Sequence, residues 1–199
     1  MLYLIIIIIA MFIIALMNIL FNNMEPWYVY VLYTIILTII VIIVDGIVAF
    51  IIRKMPNKWF DYHKKVFATS EREKKFLKAI KVKKWKEKVP ELGMFTSFRK
   101  NKISEPNNPE YLSRYILEVC YGIIIHYASV PFSFVIMLCD YKMYNGQSIM
   151  YLTIALPVAL VNAVLILLPA FVLKYNLPKL IRLFEFKNHQ KKGLENETY

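Results

Sequence analysis

The 199-residue sequence is poor in glycine. It has only five, and none belongs to a phosphate-binding pattern such as G-x-G-x-x-G or G-x-x-x-x-G-K. Dinucleotide and P-loop chemistry therefore have no foothold. Cysteine is scarcer still. Cys120 and Cys139 lie in one apolar stretch; on a helix they stand ~28 Å apart, too far to bridge each other. They read as small packing residues. The chain has three histidines, no HExxH, no CxxC and no His-x4-Asp box. No metal site is expected, and the signatures of soluble enzymes are missing. Acidic residues number 14 against 25 lysines and arginines, a net charge of +11.

What the chain has instead is long apolar runs. It is 58% hydrophobic, with a mean hydropathy of +0.47. A membrane-spanning helix needs about 20 mostly apolar residues, and four stretches qualify: 1–21, 27–52, 116–139 and 148–173. The first lacks the basic leader and small-residue cleavage site of a signal peptide, so it reads as a retained span. Isoleucine-rich strands are excluded at these positions, because a lone strand in lipid leaves its backbone groups unpaired. The expected fold is all-α: one membrane domain over 1–199, four transmembrane helices, and a basic loop containing an amphipathic helix.

Charge sets the expected orientation. Residues 53–115 carry 18 of the 25 basic residues and the tail 174–199 carries six, while the connection after the first span carries none and that after the third only Lys142. The positive-inside rule then places both termini and the 53–115 loop in the cytoplasm. Trp27, Tyr28, Tyr30, Tyr141 and Tyr144 would form an outer aromatic belt.

Within the loop, Ser70 and Glu73 form a capping-box pattern, predicting a helix from Glu71 to about Val89, before Pro90 and Gly93. Phe76, Leu77, Ile80, Val82, Trp85 and Val89 give it apolar weight among lysines and arginines. Such a stretch suits an anionic lipid surface; a solvated charged helix is the plainer alternative. Nucleic acid is not expected, since no reader motif is present. Asn108, Pro109 and Glu110 make a helix start, so the third helix begins in water. Asn176 and Pro178 are expected to break the fourth span and open a second interfacial helix, with Lys174, Lys179 and Arg182 toward headgroups or an anionic ligand.

Ionisable residues at membrane depth are costly and tend to mark function. The expected spans contain two acids, Asp45 and Glu118, and one histidine, His126. Glu118, Gly122 and His126 share a helix face at i, i+4 spacing, with His126 ~12 Å deeper than Glu118. Gly122 leaves room for a substrate chain or another helix. Two readings of the row stand on the residues alone. Either His126 accepts a proton while Glu118 orients it or binds a polar substrate group, or Arg114 neutralises Glu118 and His126 is a hydrogen-bonded packing residue. Asp45 could be brought beside His126 or Lys174 by another helix. Asn162 suits an interhelical hydrogen bond, and Pro131, Pro157 and Pro169 suit kinks.

Four elements in order, "RKMPNKWF", "KKFLKAIKVKKWKEKVPE", Glu118-x7-His126 and "KYNLPKLIRL", resemble the glycosyl-4,4'-diaponeurosporenoate acyltransferases over about residues 50–185. These small membrane proteins of staphyloxanthin-type carotenoid biosynthesis esterify a sugar-carotenoid with a fatty acyl chain. The motif positions include Arg53, Pro56, Trp59, Phe60, Trp85, Lys86, Glu118, His126, Tyr175, Asn176 and Pro178. Two strong N-terminal spans and a fuller outer turn are departures from the family pattern.

The resemblance implies acyl transfer, at a bacterial cell membrane, from an activated donor to a hydroxyl of a lipid-linked acceptor such as a glycosylated carotenoid. His126 and Glu118 are the expected catalytic residues. Asp45, Trp85, Lys83, Lys84, Lys86, Asn176 and Lys179 are the expected substrate-binding residues, with the lysines on donor phosphates and Asn176 on the oxyanion. No bound cofactor is expected; acyl-CoA or an acyl-carrier protein would be the donor, and a carrier protein or another biosynthetic enzyme the partner. The competing expectation is a non-catalytic accessory protein that docks lipids or a partner through its basic loop. A small methyltransferase or reductase lacks its cofactor pattern.

Overall fold

A computed structural model describes residues 2–22, 25–89, 103–138 and 150–197. All regular elements among them are helical: α1 (Leu2–Phe21), α2 (Trp27–Arg53), a 3-10 turn (Asn57–Phe60), α3 (Glu71–Ala79), α4 (Val82–Trp85), a 3-10 turn (Lys86–Lys88), α5 (Pro109–Phe132), a 3-10 turn (Ser133–Ile136), a π turn (Tyr151–Ala155) and α6 (Leu156–Glu197). Four helical stretches are long and apolar enough to cross a membrane: Leu4–Phe21, Trp27–Arg53, Pro109–Ile136 and Leu152–Lys191. The protein is an all-α membrane protein. Cys139, Pro90, Gly93, Tyr141, Lys142 and Tyr144 lie outside the described residues.

The chain packs as two compact units. One comprises Met1–Arg53 with Ile125–Leu168, the other Lys54–Ile124 with Pro169–Tyr199.

In the first unit α1 and α2 form a hairpin. Their buried faces meet the segment around Ile136 and the start of α6 in a core that includes Ile14, Leu37, Val41, Ile136, Ile154 and Val158. The outward faces stay apolar: Phe12 is 65% and Ile43 55% exposed, as lipid contact requires. Tyr30 departs from the expected aromatic belt. It is buried, and its hydroxyl donates to the Asn22 carbonyl at 2.6 Å while accepting from Glu25 N at 3.1 Å. The connection between the spans has backbone groups to satisfy, and Tyr30 supplies the partner. Trp27 and Tyr28 are exposed, as a belt needs.

In the second unit, the expected helix starts are present. Ser70 and Glu73 complete both halves of the capping box. Asn108 Oδ1 accepts from the amides of Glu110 and Tyr111 at 3.0 and 3.3 Å. Two expectations are corrected. The single helix over Glu71–Val89 is broken: α3 stops at Ala79, Lys81 adopts a left-handed conformation (φ 54°), and α4 starts afresh at Val82. Leu77 and Val82 are both buried, yet five residues at 3.6 per turn point about 140° apart. One straight helix cannot bury both; the break can, at a left-handed cost of roughly 1–2 kcal/mol. Leu77, Val82 and Val89 thus face the protein interior, and Phe76 sets its ring edge-on to Phe171 at 5.4 Å.

The other correction concerns Asn176 and Pro178, which do not break the fourth span. α6 is continuous for 42 residues, through Pro169 and Pro178. Pro178 still removes the amide that would bond the carbonyl four residues earlier, that of Lys174. The Thr69 hydroxyl donates to that carbonyl at 3.5 Å. The proline is tolerated where a side chain from elsewhere takes up the freed acceptor.

Candidate active site

The stretch of α6 from Lys174 to Lys179 organises the second unit. Lys174 is 4% exposed. Its ammonium donates to the Val66 and Ala68 carbonyls at 2.8 and 3.0 Å and lies 3.5 Å from Glu73 Oε1. A buried ammonium is tolerable only when its donors are used and a counter-charge is near; all three partners come from the loop before α3 and its first turn. Lys174 therefore ties the basic segment to α6. The sequence suggested headgroups or an anionic ligand for this lysine, and the structure corrects that: its ammonium is spent on Val66, Ala68 and Glu73.

The next residue, Tyr175, has two cations at its ring. Lys179 Nζ lies 4.1 Å from the ring centroid and Lys86 Nζ 6.0 Å from it. Lys179 reaches the ring because i and i+4 share a helix face. Lys86 comes to it from the 3-10 turn that follows α4. Each ammonium is attracted by the ring, and two positive charges gathered around one side chain make its surroundings favourable for an anion. Lys83 and Lys84 are exposed close by in sequence. Of the expected binding residues, Lys86 and Lys179 are thus brought together. Trp85 spends its indole N–H on the Ile80 carbonyl at 2.8 Å, which leaves only its ring for a ligand. Asn176 is half-buried beside Tyr175.

In the same unit, the Tyr121 hydroxyl of α5 donates to the Met55 carbonyl at 3.1 Å and to Asn57 Oδ1 at 2.9 Å, and its ring stacks on Phe60 at 3.9 Å. This fixes "PNKWF" against α5. Burial, then the neighbouring Glu185 and Asp61 carboxylates, pushes the Tyr62 phenol above its usual range. The phenol is therefore neutral and unsuited to act as a base at neutral pH.

Glu118 and His126 are both half-buried positions of α5, and each already engages a neighbour. Gly122 between them has a settled role. A Cβ there would stand 2.8 Å from Leu173 Cδ1, so the missing side chain admits α6, not a substrate chain.

In the first unit, Asp45 is bonded by Asn162. The Asn162 amide donates to Asp45 Oδ2 at 3.0 Å and to Ser133 Oγ at 2.9 Å, and Ser133 donates to the Ser129 carbonyl at 3.1 Å. Asn18, which the sequence reading missed, is 3% exposed and donates to the carbonyls of Ile14 and Thr153 at 2.8 and 2.9 Å. The signal was an asparagine inside an isoleucine-rich span. No group of three or more metal-ligating side chains occurs among the described residues.

The model of the glycosyl-4,4'-diaponeurosporenoate acyltransferases matches residues 56–186, about two thirds of the chain. The chain belongs to that family. Its activity class is therefore acyl transfer in carotenoid biosynthesis, carried out by a membrane protein. Comparison with curated proteins and with solved structures found no match. The match takes in the Lys86, Tyr175 and Lys179 face as well as Glu118 and His126. It begins at Pro56, so α1 and α2 lie outside it.

Proposed function

We propose that this acyltransferase moves a fatty acyl group from a phosphate-bearing thioester, acyl-CoA or an acyl-carrier protein, to a hydroxyl of a lipid-linked acceptor such as a glycosylated carotenoid. The observation that carries the donor assignment is the pair of ammonium groups, Lys86 and Lys179, on the ring of Tyr175. The donor's phosphates are the anion that face would take, with Lys83 and Lys84 extending the positive field.

Acyl transfer to an alcohol needs a base for the hydroxyl proton and donors for the oxyanion. His126 is the proposed base: a neutral imidazole accepts a proton and returns it to the leaving thiolate. Glu118 is proposed to orient the histidine or bind a polar part of the acceptor, and Asn176 to donate to the oxyanion. Both termini and the basic loop would lie on the donor side of the membrane, following the charge split.

Radiolabelled acyl transfer in membranes, normalised to folded protein, tests this. His126→Gln preserves polarity and size but not the basicity, and should lower turnover by roughly 10²–10⁴-fold. Lys86→Gln with Lys179→Gln should raise the KM for acyl-CoA and weaken its salt dependence. Wild-type turnover in His126→Gln removes the base assignment. An unchanged donor KM in the lysine double variant removes the phosphate assignment.

A further inference from the structure

The sequence suggested a lipid-facing stripe through Phe76, Leu77, Ile80, Val82, Trp85 and Val89. The structure leaves little of it. Leu77, Val82 and Val89 are buried, and Ile80 and Trp85 are half-buried. Among the described residues from Lys54 to Ile124, the large apolar side chains that stand exposed are Trp59, Val66 and Phe76, each about half accessible. All three belong to the segment 57–76. Each also stands at an attachment to a spanning helix of the same unit. Phe60, beside Trp59, stacks on Tyr121 of α5 at 3.9 Å. The Val66 carbonyl accepts from Lys174 of α6 at 2.8 Å. The Phe76 ring meets Phe171 of α6 edge-on at 5.4 Å.

These attachments set a level in the membrane. α5 carries no Asp, Glu, Lys or Arg over 119–136, and α6 none over 152–173. At 1.5 Å per residue the two runs are about 27 and 33 Å long, the thickness of a hydrocarbon core. Tyr121 lies in the first turn of the α5 run and Phe171 in the last turn of the α6 run. Lys174 is the first charge beyond it. The segment 57–76 is therefore held where hydrocarbon gives way to headgroups. Lipid surrounds the helices at that level, so the three exposed side chains need not share one face. Lys58, Lys64 and Lys65 are exposed between them, and Asp61 is the one acid over 57–70. Lys64 reaches the Trp59 carbonyl at 3.3 Å.

We propose that residues 57–76 form an interfacial collar. Trp59, Val66 and Phe76 insert among the lipids at the boundary, and Lys58 and Lys65 hold the phosphates of anionic phospholipids. Tryptophan favours this level because its ring is apolar and its N–H finds a polar partner there. A lysine keeps its stem in the apolar layer and its ammonium at the phosphates. The membrane contact thus belongs to the segment before α3 and its start, not to one long amphipathic helix. The collar is independent of the acyl-transfer reading.

Nitroxide accessibility tests the insertion. The full-length protein, with Cys120 and Cys139 replaced by alanine, is placed in vesicles of phosphatidylcholine and phosphatidylglycerol. Labels at Trp59→Cys, Val66→Cys and Phe76→Cys should collide more with oxygen, which concentrates in lipid, than with a water-soluble nickel chelate. A label at Asn107→Cys, in the exposed turn before α5, should show the reverse. Three positions guard against a variant that fails to fold. A preference for nickel at all three overturns the proposal. If those labels are then shielded from both reagents in native membranes, a protein partner covers the segment instead. Spin-labelled lipids test the headgroup assignment. The protein should immobilise phosphatidylglycerol in preference to phosphatidylcholine, and ~1 M salt should remove the preference. Lys58→Gln with Lys65→Gln should lower it, by about fivefold per lysine at the sites those lysines serve. Lys187→Gln with Lys191→Gln should leave it unchanged, since these lie ~20 Å or more along α6 beyond Lys174, past the reach of screened charge. A preference untouched by the first pair, or lowered equally by the second, overturns the assignment of Lys58 and Lys65.

Discussion

Lys174→Met isolates the tie between α6 and the basic segment. The substitution keeps the apolar stem and removes the ammonium, which makes two hydrogen bonds at 2.8 and 3.0 Å and one ion pair at 3.5 Å. A hydrogen bond from a charged donor contributes roughly 1.5–3 kcal/mol net. Val66 and Ala68 are exposed residues, so water takes over part of what their carbonyls lose. The Glu73 side chain is 41% exposed, which places the ion pair at about 1 kcal/mol or less. The balance is a local destabilisation of about 2–4 kcal/mol, or about 30- to 1000-fold in an opening equilibrium. Amide hydrogen exchange reads it directly. The Phe67 amide, bonded to the Lys64 carbonyl at 3.0 Å, should lose about that much protection, while amides in the middle of α2 keep theirs. Glu73→Gln should cost about 1 kcal/mol or less. Unchanged protection of residues 64–74 in Lys174→Met would refute the reasoning, because the loop would then be held by something other than this ammonium.

Gly122→Ala gains about 1 kcal/mol of helix propensity but drives a methyl to 2.8 Å from Leu173 Cδ1. Overpacking costs about 1–3 kcal/mol, so the thermal midpoint should fall, and Leu173→Ala in the same chain should cost less than its single effect. Lys81→Gly should stabilise the α3–α4 turn by about 1 kcal/mol, since glycine adopts the left-handed conformation without the side-chain penalty; urea unfolding of the second unit measures it. Cysteines placed at Ser97 and Asn145, in a chain lacking Cys120 and Cys139, should be labelled from opposite sides of the membrane. Labelling of both from one side refutes the assigned orientation.

Local chemistry was legible in the sequence where it depends on a few neighbouring residues. Ser70 with Glu73, and Asn108 before Pro109, mark their helix starts because a capping side chain reaches an amide two or three residues on. The spans were legible because a run of about 20 apolar residues has few alternatives. The break at Lys81 was not legible, because it arises from Leu77 and Val82 both being buried, which is a tertiary demand. Lys86 stands out for charge and for family position, Lys179 for charge. That they converge on the ring of Tyr175 is a tertiary contact between α6 and the 3-10 turn after α4, so the residues could be named before their geometry could. The face shared by Glu118, Gly122 and His126 followed from spacing, but the occupant of the space at Gly122 did not. Leu173 comes from a helix 51 positions away.

The prolines show why composition alone misjudges α6. Pro178 and Pro157 were expected to break or kink it, and each does remove one backbone donor. The acceptors so released are the carbonyls of Lys174 and Thr153. Each is met by a side chain distant in sequence, Thr69 in one unit and Asn18 in the other. At Thr153 the backbone also widens into the π turn Tyr151–Ala155, an adjustment that relieves the proline's clash with the preceding turn. A proline inside a spanning helix therefore acts here as an attachment point. It leaves a strong acceptor on a packed helix surface, and the fold places a donor there. The same logic explains why Lys174 is buried. Its carbonyl accepts from Thr69, its ammonium donates to Val66 and Ala68, and the one residue holds the segment before α3 from both ends.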